Sequence, residues 1–516
     1  MKNMPLFITI MVLLMIGFGC SSTTPDAGCD YVECDGLCCA AGQECFSGSC
    51  CTPLTCQELD KLCGDSWDNQ CGSTANCGSC AAFETCSSEG ECSCQYESCG
   101  GNCCGEGIAC DGDKCAASAF DGYTLFNPVM QTNTYLIDMQ GNTVHSWTNL
   151  ARGGYSVYLL EDGYLMRPGE AQNIQLRGGA AAGLLQKIDA SGNVVWEFEY
   201  NSATYLTHHD IEPMPNGNVL LIAWEVKSAA EAVAAGRSKN AEFWPDHLIE
   251  VDPTRAPGQE IVWEWHVFDH LVQDYDDSKA NYAEVAKHPE LIDVNLGADS
   301  GGPGMGGDWL HINGVSYNPE LDQIAISSHF VDEFFVIDHS TADYDNPAAG
   351  IALAAGHTGG QAGKGGDILY RWGSPVNYGA PGDTVFDVIH CAAWIPAGYP
   401  GEGNILVYNN GEHQRQSEIV ELTPPRDLNG DYILGTGSAF GPQSPTWRYF
   451  DGSDFYSAHL GSNQRLPNGN TLISESTSAY LFEVTQSGEI VWEYQGPGEI
   501  ARSLRYAPDY PGLPDF

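Results

Sequence analysis

Basic residues are scarce in this chain. Lysine and arginine together number 21, against 68 aspartates and glutamates, which gives a formal net charge of −47 at pH 7. A surface of that sign repels phosphate backbones, so we expect no nucleic-acid partner. The charge favours solubility and indicates nothing about the fold.

Long apolar runs are also lacking after the N-terminus, so no later segment is predicted to cross a bilayer. The N-terminus itself has Lys2, an apolar run over residues 5–18 and a small residue before Cys20. This pattern is typical of a secretory signal, and its Gly-Cys end resembles a bacterial lipoprotein signal in which Cys20 is lipidated. We predict a signal over residues 1–20, with ordinary cleavage and secretion as the alternative to lipidation.

Either outcome places the mature protein outside the cytoplasm. We expect it at the outer membrane or cell surface, attached by a lipid anchor only, or otherwise in the periplasm or the medium. Oligomeric state is not predicted.

Cysteine is nearly absent beyond Cys115, where Cys391 stands alone. The chain has 22 cysteines, and all but Cys20 and Cys391 lie between Cys29 and Cys115. One six-cysteine spacing begins at Cys29 and is repeated without change from Cys94. An even count, a repeated spacing and a secretory signal predict disulfide-stapled modules.

The Cys-rich segment is predicted to cover residues 21–118, as a stalk or a surface adhesion segment. A zinc site is the weaker interpretation, because Cys77 and Cys80 form one CxxC without a matching second pair. The spacing does not determine which cysteines pair.

Helical periodicity is almost absent from residues 119–516, where AAEAVAAGRS from Ala229 is the best short helical candidate. A turn residue followed by an alternating aromatic and aliphatic strand recurs instead. The near copies are GNTVHSW (141–147), GNVVWEF (192–198), QEIVWEW (259–265), GDILYRW (366–372), GEIVWEY (488–494) and the weaker SEIVELT (417–423). Repeated antiparallel meanders predict an all-β fold, a six-bladed β-propeller preceded by the disulfide-rich modules, with a two-domain β-sandwich as the alternative.

Four histidines occupy the same place in this repeat. His209, His311, His390 and His459 each precede a turn with Pro, Asn or Gly and then an apolar strand, as in LTHHDIEPMPNGNVLL. Equivalent positions of radially repeated blades point to one end of the central channel, so we expect these side chains to converge. Imidazole can be a nucleophile, a general base or a metal ligand, and Arg415 adds a donor fork suited to oxyanions.

Several segments together resemble the bacterial aryl-sulfate sulfotransferase family. They are HHDIEPMPNGN, DWLHINGVSYNPELDQIAIS, FFVIDHST, DILYRWGSP, HCAAWIPAGYPGEGNILVYNNG and QRLPNGNTLI with FEVTQSGEIVWEY, and they cover most of residues 122–497 in the family's order. The resemblance implies a six-bladed propeller that moves a sulfuryl group from a phenolic sulfate ester to a phenolic acceptor. It also implies a sulfohistidine intermediate and no nucleotide donor, and we expect no cofactor and no metal.

The resemblance implies roles for four residues. His311 in DWLHIN and His390 match positions that line the family's site, and Arg415 matches the arginine after its asparagine-glycine turn. His459 is the histidine left for the family's nucleophile, although its surroundings match loosely. Two further histidines are predicted to bind substrate: His209 and His329. Each of these residues also has a structural interpretation, such as capping a strand or forming a surface ion pair.

Two other functions fit the same sequence. One is a non-catalytic propeller displayed at the surface as a binding module. The other is a metal-dependent hydrolase or lyase with three of the histidines as ligands, although no HxH or HExxH motif supports it. The leading hypothesis is an exported sulfotransferase whose partners are a small phenolic sulfate donor and a phenolic acceptor.

Overall fold

The structure is a computed structural model. It describes parts of residues 33–115 and then residues 117–148, 150–297 and 307–514. The predicted signal over 1–20 and the lipidation at Cys20 lie outside the described residues. None of the described helices has the length and apolar character needed to span a membrane.

The chain divides into two compact units. One consists of Met1–Gly78 with Ser88–Glu91, and the other of Ser79–Ser87 with Cys92–Phe516. Part of the Cys-rich segment is therefore grouped with the long C-terminal region. The predicted limits of 21–118 and 119–516 stay predictions.

The Cys-rich segment contains short antiparallel hairpins and one helical turn, Cys56–Leu59. Its described strands are Glu33–Cys34, Leu37–Cys38, Glu44–Phe46, Ser49–Cys51, Trp67–Asp68, Thr74–Ala75, Glu84–Cys86, Cys92–Cys94, Ser98–Cys99, Asn102–Cys103, Cys110–Asp111 and Lys114–Cys115. Disulfides join Cys51 to Cys71 and Cys94 to Cys103. Further cysteines in disulfides are Cys45, Cys50, Cys56, Cys86, Cys92 and Cys99. The predicted disulfide-rich modules are confirmed.

The C-terminal region forms six four-stranded antiparallel sheets, which confirms the predicted six-bladed propeller. We number the blades in chain order. Blade 1 contains Tyr123–Phe126, Thr134–Ile137, Thr143–Trp147 and, from the C-terminus, Ser503–Tyr506. Blade 2 contains Tyr158–Leu159, Leu165–Glu170, Gly183–Ile188 and Val194–Glu199. Blade 3 contains Tyr205–Pro213, Val219–Glu225, Asp246–Val251 and Ile261–His266.

The other three blades follow the same order. Blade 4 contains Ile312–Asn318, Gln323–Ser328, Glu333–Asp338 and Ile368–Trp372. Blade 5 contains Ile389–Trp394, Ile405–Asn409, Glu418–Leu422 and Trp447–Phe450. Blade 6 contains Ser462–Arg465, Thr471–Glu475, Tyr480–Val484 and Ile490–Gln495. First strands of neighbouring blades contact one another from blade 3 to blade 6, and the first strand of blade 6 contacts Ser503–Tyr506, so these strands form the inner wall.

The hydrophobic core lies between the blades. Every pair of neighbouring blades shares a cluster of buried apolar side chains. Because successive side chains of a strand point to opposite faces, Leu220 and Ile222 pack toward blade 4 while Leu221 packs toward blade 2. One strand thus contributes to two interfaces, which is why these strands are apolar on both faces.

The recurring aromatic pattern does not mark the same strand in every blade. The recurring aromatic strands are the outermost strands of blades 1, 2, 3, 4 and 6. The weaker copy SEIVELT instead forms the third strand of blade 5, Glu418–Leu422, and the outermost strand, Trp447–Phe450, follows a long insertion. An alternating pattern identifies a strand whose two faces meet different surroundings, but it does not specify the strand's place in the blade.

Helices are few and short. AAEAVAAGRS supplies the predicted helix, Ala229–Ala234, and a second helix, Pro347–Ala354, lies in the insertion of blade 4. The remaining elements are the strands Leu271–Val272 and Ile292–Asp293 and the 3-10 turns Val267–Asp269, Val285–Lys287, Pro375–Tyr378, Gly452–Asp454 and Ser476–Ser478.

Candidate active site

A backbone irregularity lies within or just before the first strand of four blades. His209 (φ 54°), His311 (φ 53°), Cys391 (φ 48°) and Leu460 (φ 57°) all adopt the left-handed conformation. Register shifts occur beside the first three of these residues. Non-glycine residues in this region cost about 1–3 kcal/mol each and persist where the surroundings hold them, often at functional sites. The repeated histidine pattern thus corresponds to a repeated kink in the inner wall.

Four histidines form a continuous series of ring contacts at this end of the propeller. The ring centroids of His209 and His311 are 4.5 Å apart, those of His311 and His329 are 5.1 Å apart, and those of His329 and His390 are 5.5 Å apart. His208 extends the series, with its Nδ1 2.8 Å from Nδ1 of His209. Residues from blades 3, 4 and 5 thus meet at one place.

Three of these imidazoles are held neutral. Burial lowers the pKa of His209 far below its usual value, and positive charge on His311 would lower it further. Burial lowers the pKa of His390 to about 3, in spite of its hydrogen bond to Asn410. Burial also lowers the pKa of His329, with His390 as the next cause. A neutral imidazole keeps the lone pair that a nucleophile needs.

The partner of Nδ1 fixes the orientation of His311. This nitrogen lies 2.5 Å from Oδ2 of Asp308, which is itself buried. The other carboxylate oxygen of Asp308 accepts a hydrogen bond of 3.1 Å from the indole N–H of Trp224. If Nδ1 carries the proton, Nε2 of His311 has a free lone pair, and no described hydrogen bond uses it.

His390 has a different arrangement. Its Nδ1 lies 2.6 Å from Oδ1 of Asn410, and Nε2 accepts a hydrogen bond of 3.3 Å from the backbone N–H of Leu460. Both nitrogens are therefore occupied. The amide of Asn410 is fixed in turn by the backbone oxygens of Ser457 and Leu460. His390 is a neutral, rigid ring beside the other histidines.

Arg502 is the arginine of this region that sequence reasoning missed. Its guanidinium lies 3.0 Å from a carboxylate oxygen of Asp210 and 3.0 Å from the sulfur of Cys391, and it also contacts the Tyr158 hydroxyl. Burial would lower the arginine pKa, but Asp210 raises it well above its usual value. Cys391 is buried in its strand.

A small cavity lies between Arg502 and two of the histidines, His209 and His390. Its volume is about 20 Å³, which is enough for about one water molecule. The lining residues are Tyr155, His209, Asp210, Asn313, His390, Leu460, Gly461, Ala501 and Arg502. Arg502 directly precedes the innermost strand of blade 1, so it occupies the same kind of position as the histidines. Its position before an innermost strand could have identified Arg502 from the sequence. That strand comes from the C-terminus and not from the blade 1 segment, so the repeat did not show it.

The two other predicted catalytic residues lie outside the series of contacting histidines. His459 is 55% exposed, and its Nε2 lies 2.7 Å from a carboxylate oxygen of Glu499, a hydrogen bond that raises the histidine pKa. The next residue, Leu460, donates its backbone N–H to His390, so His459 lies near the cluster. Arg415 is exposed, with its guanidinium 5.4 Å from the ring centroid of Tyr456. No described hydrogen bond or ring contact joins either residue to the four histidines, and their catalytic roles stay predictions.

Fold and site together define a six-bladed β-propeller with a histidine-lined site at one end of its inner wall. The sequence profile of the arylsulfotransferase (ASST) family matches residues 121–501. The chain belongs to this family. The search of curated proteins found no match.

Solved structures of similar shape are distant in sequence. A protein of unknown function from Bacteroides caccae is 11% identical, with a TM-score of 0.41, and the match covers 75% of this chain and 98% of that one. A functionally unknown protein from Desulfotomaculum acetoxidans is 9% identical, with a TM-score of 0.36 and coverages of 75% and 100%. The β-propeller domain of Cps50 (Swd1) from Myceliophteria thermophila is 11% identical, with a TM-score of 0.36 and coverages of 75% and 88%.

Proposed function

We propose that this protein transfers a sulfuryl group from a phenolic sulfate ester to a phenolic acceptor through a sulfohistidine, without a nucleotide donor. Family membership supports aryl sulfotransferase activity in general. The observation that carries the finer proposal is the series of contacting imidazoles, three of them held neutral, of which His209 and His390 line a small cavity together with Arg502. Sulfuryl transfer requires a nucleophile and a fixed positive charge for the sulfuryl oxygens, and the imidazoles and Arg502 offer these two features.

His311 is the nucleophile that the geometry supports best. Its Nε2 attacks the sulfur, the nitrogen–sulfur bond forms, and the ester sulfur–oxygen bond breaks to release a phenolate. The ring becomes positively charged, and the Asp308 carboxylate on Nδ1 stabilises that charge, as an aspartate does for a catalytic histidine. Arg502 holds the sulfuryl oxygens as charge moves to the leaving group.

His459 is suited to move the proton. The hydrogen bond to Glu499 raises its pKa, so this imidazole holds a proton to higher pH than a free histidine does. We propose that it protonates the departing phenolate and takes the proton from the incoming phenol in the second half of the reaction. The sequence-based alternative, in which His459 itself is the nucleophile, makes a different prediction about which residue carries the sulfuryl group.

The test uses 4-nitrophenyl sulfate with the purified protein, with and without phenol. We expect nitrophenol release that depends on phenol, and after trapping without acceptor we expect mass spectrometry to find the sulfuryl group on His311. The variant His311→Asn should lose transfer, while His145→Asn, on the outermost strand of blade 1, should retain it.

Other outcomes separate the alternatives. A label on His459 would establish the sequence-based nucleophile in place of His311. Release without acceptor that a chelator abolishes would indicate a metal-dependent hydrolase, and no release with any phenolic sulfate would favour a binding module. The last two results would overturn the proposal.

We also propose that the protein works outside the cytoplasm, anchored through Cys20. Disulfide-bonded cysteines such as Cys51, Cys71, Cys94 and Cys103 support an oxidising compartment. Labelled fatty acid should be incorporated into the wild-type protein and not into Cys20→Ala. Equal labelling of both proteins would contradict the anchor.

A further inference from the structure

A second cluster of titratable side chains lies beside the outermost strand of blade 3. His270 follows that strand, whereas His357 and Asp367 belong to the insertion between the third and fourth strands of blade 4. One nitrogen or oxygen from each side chain lies within 4.8 Å of the others. Among the described residues, this is the one group of three with that geometry.

The hydrogen bonds of His270 point to a cation in this cluster. The ring is fully buried; its Nε2 lies 2.9 Å from the backbone oxygen of Ala354, and its Nδ1 lies 2.8 Å from Oδ1 of Asp367. A neutral imidazole has one N–H. If Nε2 donates it to the Ala354 oxygen, the lone pair of Nδ1 points at a carboxylate oxygen of Asp367. His357 approaches the same oxygen, with its Nδ1 at 2.7 Å. A proton or a metal ion must lie between His270 and Asp367.

We propose that His270, His357 and Asp367 bind a divalent transition metal, for which Zn²⁺ is the best match. Two imidazole nitrogens and one carboxylate oxygen form a common zinc donor set. The other nitrogen of His270 donates a hydrogen bond to a backbone carbonyl, and metal-binding histidines usually have such a partner. Ligand atoms around tetrahedral zinc lie roughly 3.4 Å apart, so binding requires the Asp367 oxygen to move away from each of the two nitrogens, now at 2.8 and 2.7 Å, by less than about 1 Å.

The surroundings hold His270 in place before any ion binds. Its ring stacks on Trp265 at a centroid distance of 5.6 Å, and the Trp265 indole N–H donates to the Gly366 oxygen at 2.7 Å. A Cβ atom at Gly366 would lie 2.0 Å from the Ala354 oxygen and 2.8 Å from His270 Nε2. Glycine beside Asp367 therefore allows the insertion to approach the histidine this closely.

The third ligand leaves one side of the site open. The His357 side chain is 57% exposed and lines a cavity of about 630 Å³ together with Phe268 and Leu271. Three protein ligands beside a cavity leave a coordination position for water or a small ligand, as in open zinc sites. The bound ion would also join the blade 4 insertion to the segment after blade 3.

The test measures Zn²⁺ binding to the full chain after treatment with a chelator. Equilibrium dialysis against ZnCl₂ should show one site that is weakened more than about 100-fold in His357→Ala. The matched control is His413→Ala, because His413 is an exposed histidine paired with the single carboxylate of Asp387. Zinc that binds in the Cys-rich segment contributes equally to every variant, so it cancels in the comparison between them.

Thermal unfolding supplies an independent measurement. Zn²⁺ should raise the Tm of the wild type and of His413→Ala but not that of His357→Ala, because a ligand stabilises only the folded state that binds it. Asp367→Asn should behave as His357→Ala does. Equal zinc uptake and equal Tm shifts in wild type, His357→Ala and Asp367→Asn would overturn the proposal and leave a buried imidazolium–carboxylate pair.

Discussion

At the scale of single residues, the site distinguishes histidines that the sequence made equivalent. His311 has a carboxylate, Asp308, on its Nδ1, whereas His390 has a neutral amide, Asn410. A carboxylate stabilises a ring that becomes positive and an amide does not, so the two rings suit different steps. The repeat pointed to His209, His311 and His390, because position in the blade determines direction, but it did not point to His329, and His459 makes no described ring contact with them. The repeat could not predict their partners, since Asp308 lies three residues before His311 in the same segment whereas Asn410 follows the second strand of blade 5.

Two arginines offer a direct test at this scale. Arg502→Lys should lower kcat by roughly 10²- to 10³-fold, because a lysine ammonium cannot reproduce the planar fork among Asp210, Cys391 and the sulfuryl oxygens. Arg415→Lys tests the sequence-based assignment in the same assay. Arg448→Lys, an exposed residue paired with Glu418 on the outer part of blade 5, is the control.

The two arginine assignments have opposite outcomes. If Arg415→Lys loses activity and Arg502→Lys keeps it, with equal Tm values, Arg502 is structural and the family-based prediction is right. If Arg502→Lys only destabilises the fold, its Tm will fall together with its activity. Arg502→Gln, measured in the same two assays, then repeats the test.

At the scale of strands, one glutamate position connects the blades. Third strands carry it in LIEVD, IVELT and LFEVT, as Glu250, Glu421 and Glu483. Glu421 pairs with Arg465 of blade 6, and Glu483 pairs with Arg505 of blade 1 at 2.8 Å. A buried carboxylate without its partner is strongly destabilising, so each pair constrains the register of two adjacent blades.

His339 takes the place of the arginine between blades 3 and 4. Its Nε2 lies 2.9 Å from Glu250 and its Nδ1 lies 2.6 Å from Asp322. Burial alone would lower the pKa, but the hydrogen bonds to Asp322 and Glu250 raise it to about 9. The folded protein therefore binds this proton more tightly than the unfolded chain does, where the usual value of 6.5 applies.

The pH dependence of stability follows from that difference. The stabilisation by His339 is fully present below pH 6.5 and is lost as the pH rises toward 9. Over this range the free energy of unfolding of the wild type should fall by on the order of 3 kcal/mol more than that of His339→Gln. Urea unfolding at a series of pH values measures both proteins, and parallel curves would contradict the assigned protonation.

At the scale of the whole molecule, the period of the sequence was enough to predict six blades. Leu220, Leu221 and Ile222 show why, since a strand buried on both faces between two neighbours is apolar without interruption. The period does not locate the outermost strand of blade 5, Trp447–Phe450, because an insertion separates it from the third strand. Insertion length reflects loop tolerance and carries no periodic signal.

The closure of the ring is the feature that a linear repeat cannot reveal. Blade 1 takes its innermost strand from the C-terminus, where Leu504 pairs with Leu125 and Ser503 pairs with Phe126. Without that strand the inner edge of blade 1 would be unpaired, and the cluster between blades 1 and 6 would open to water. Closure therefore couples the stability of every blade to the last residues of the chain.

Two truncations test this coupling. Ending the chain after Arg502 removes the closing strand and the Arg505–Glu483 ion pair, so we expect loss of the single cooperative transition and aggregation through the exposed edge. Ending it after Tyr506 keeps the strand and removes Tyr510, whose hydroxyl donates to the Leu159 oxygen, so we expect a lower Tm with cooperativity retained. Calorimetry distinguishes the two chains. If the shorter chain unfolded in one transition at the wild-type Tm, the C-terminal strand would not be what closes the propeller.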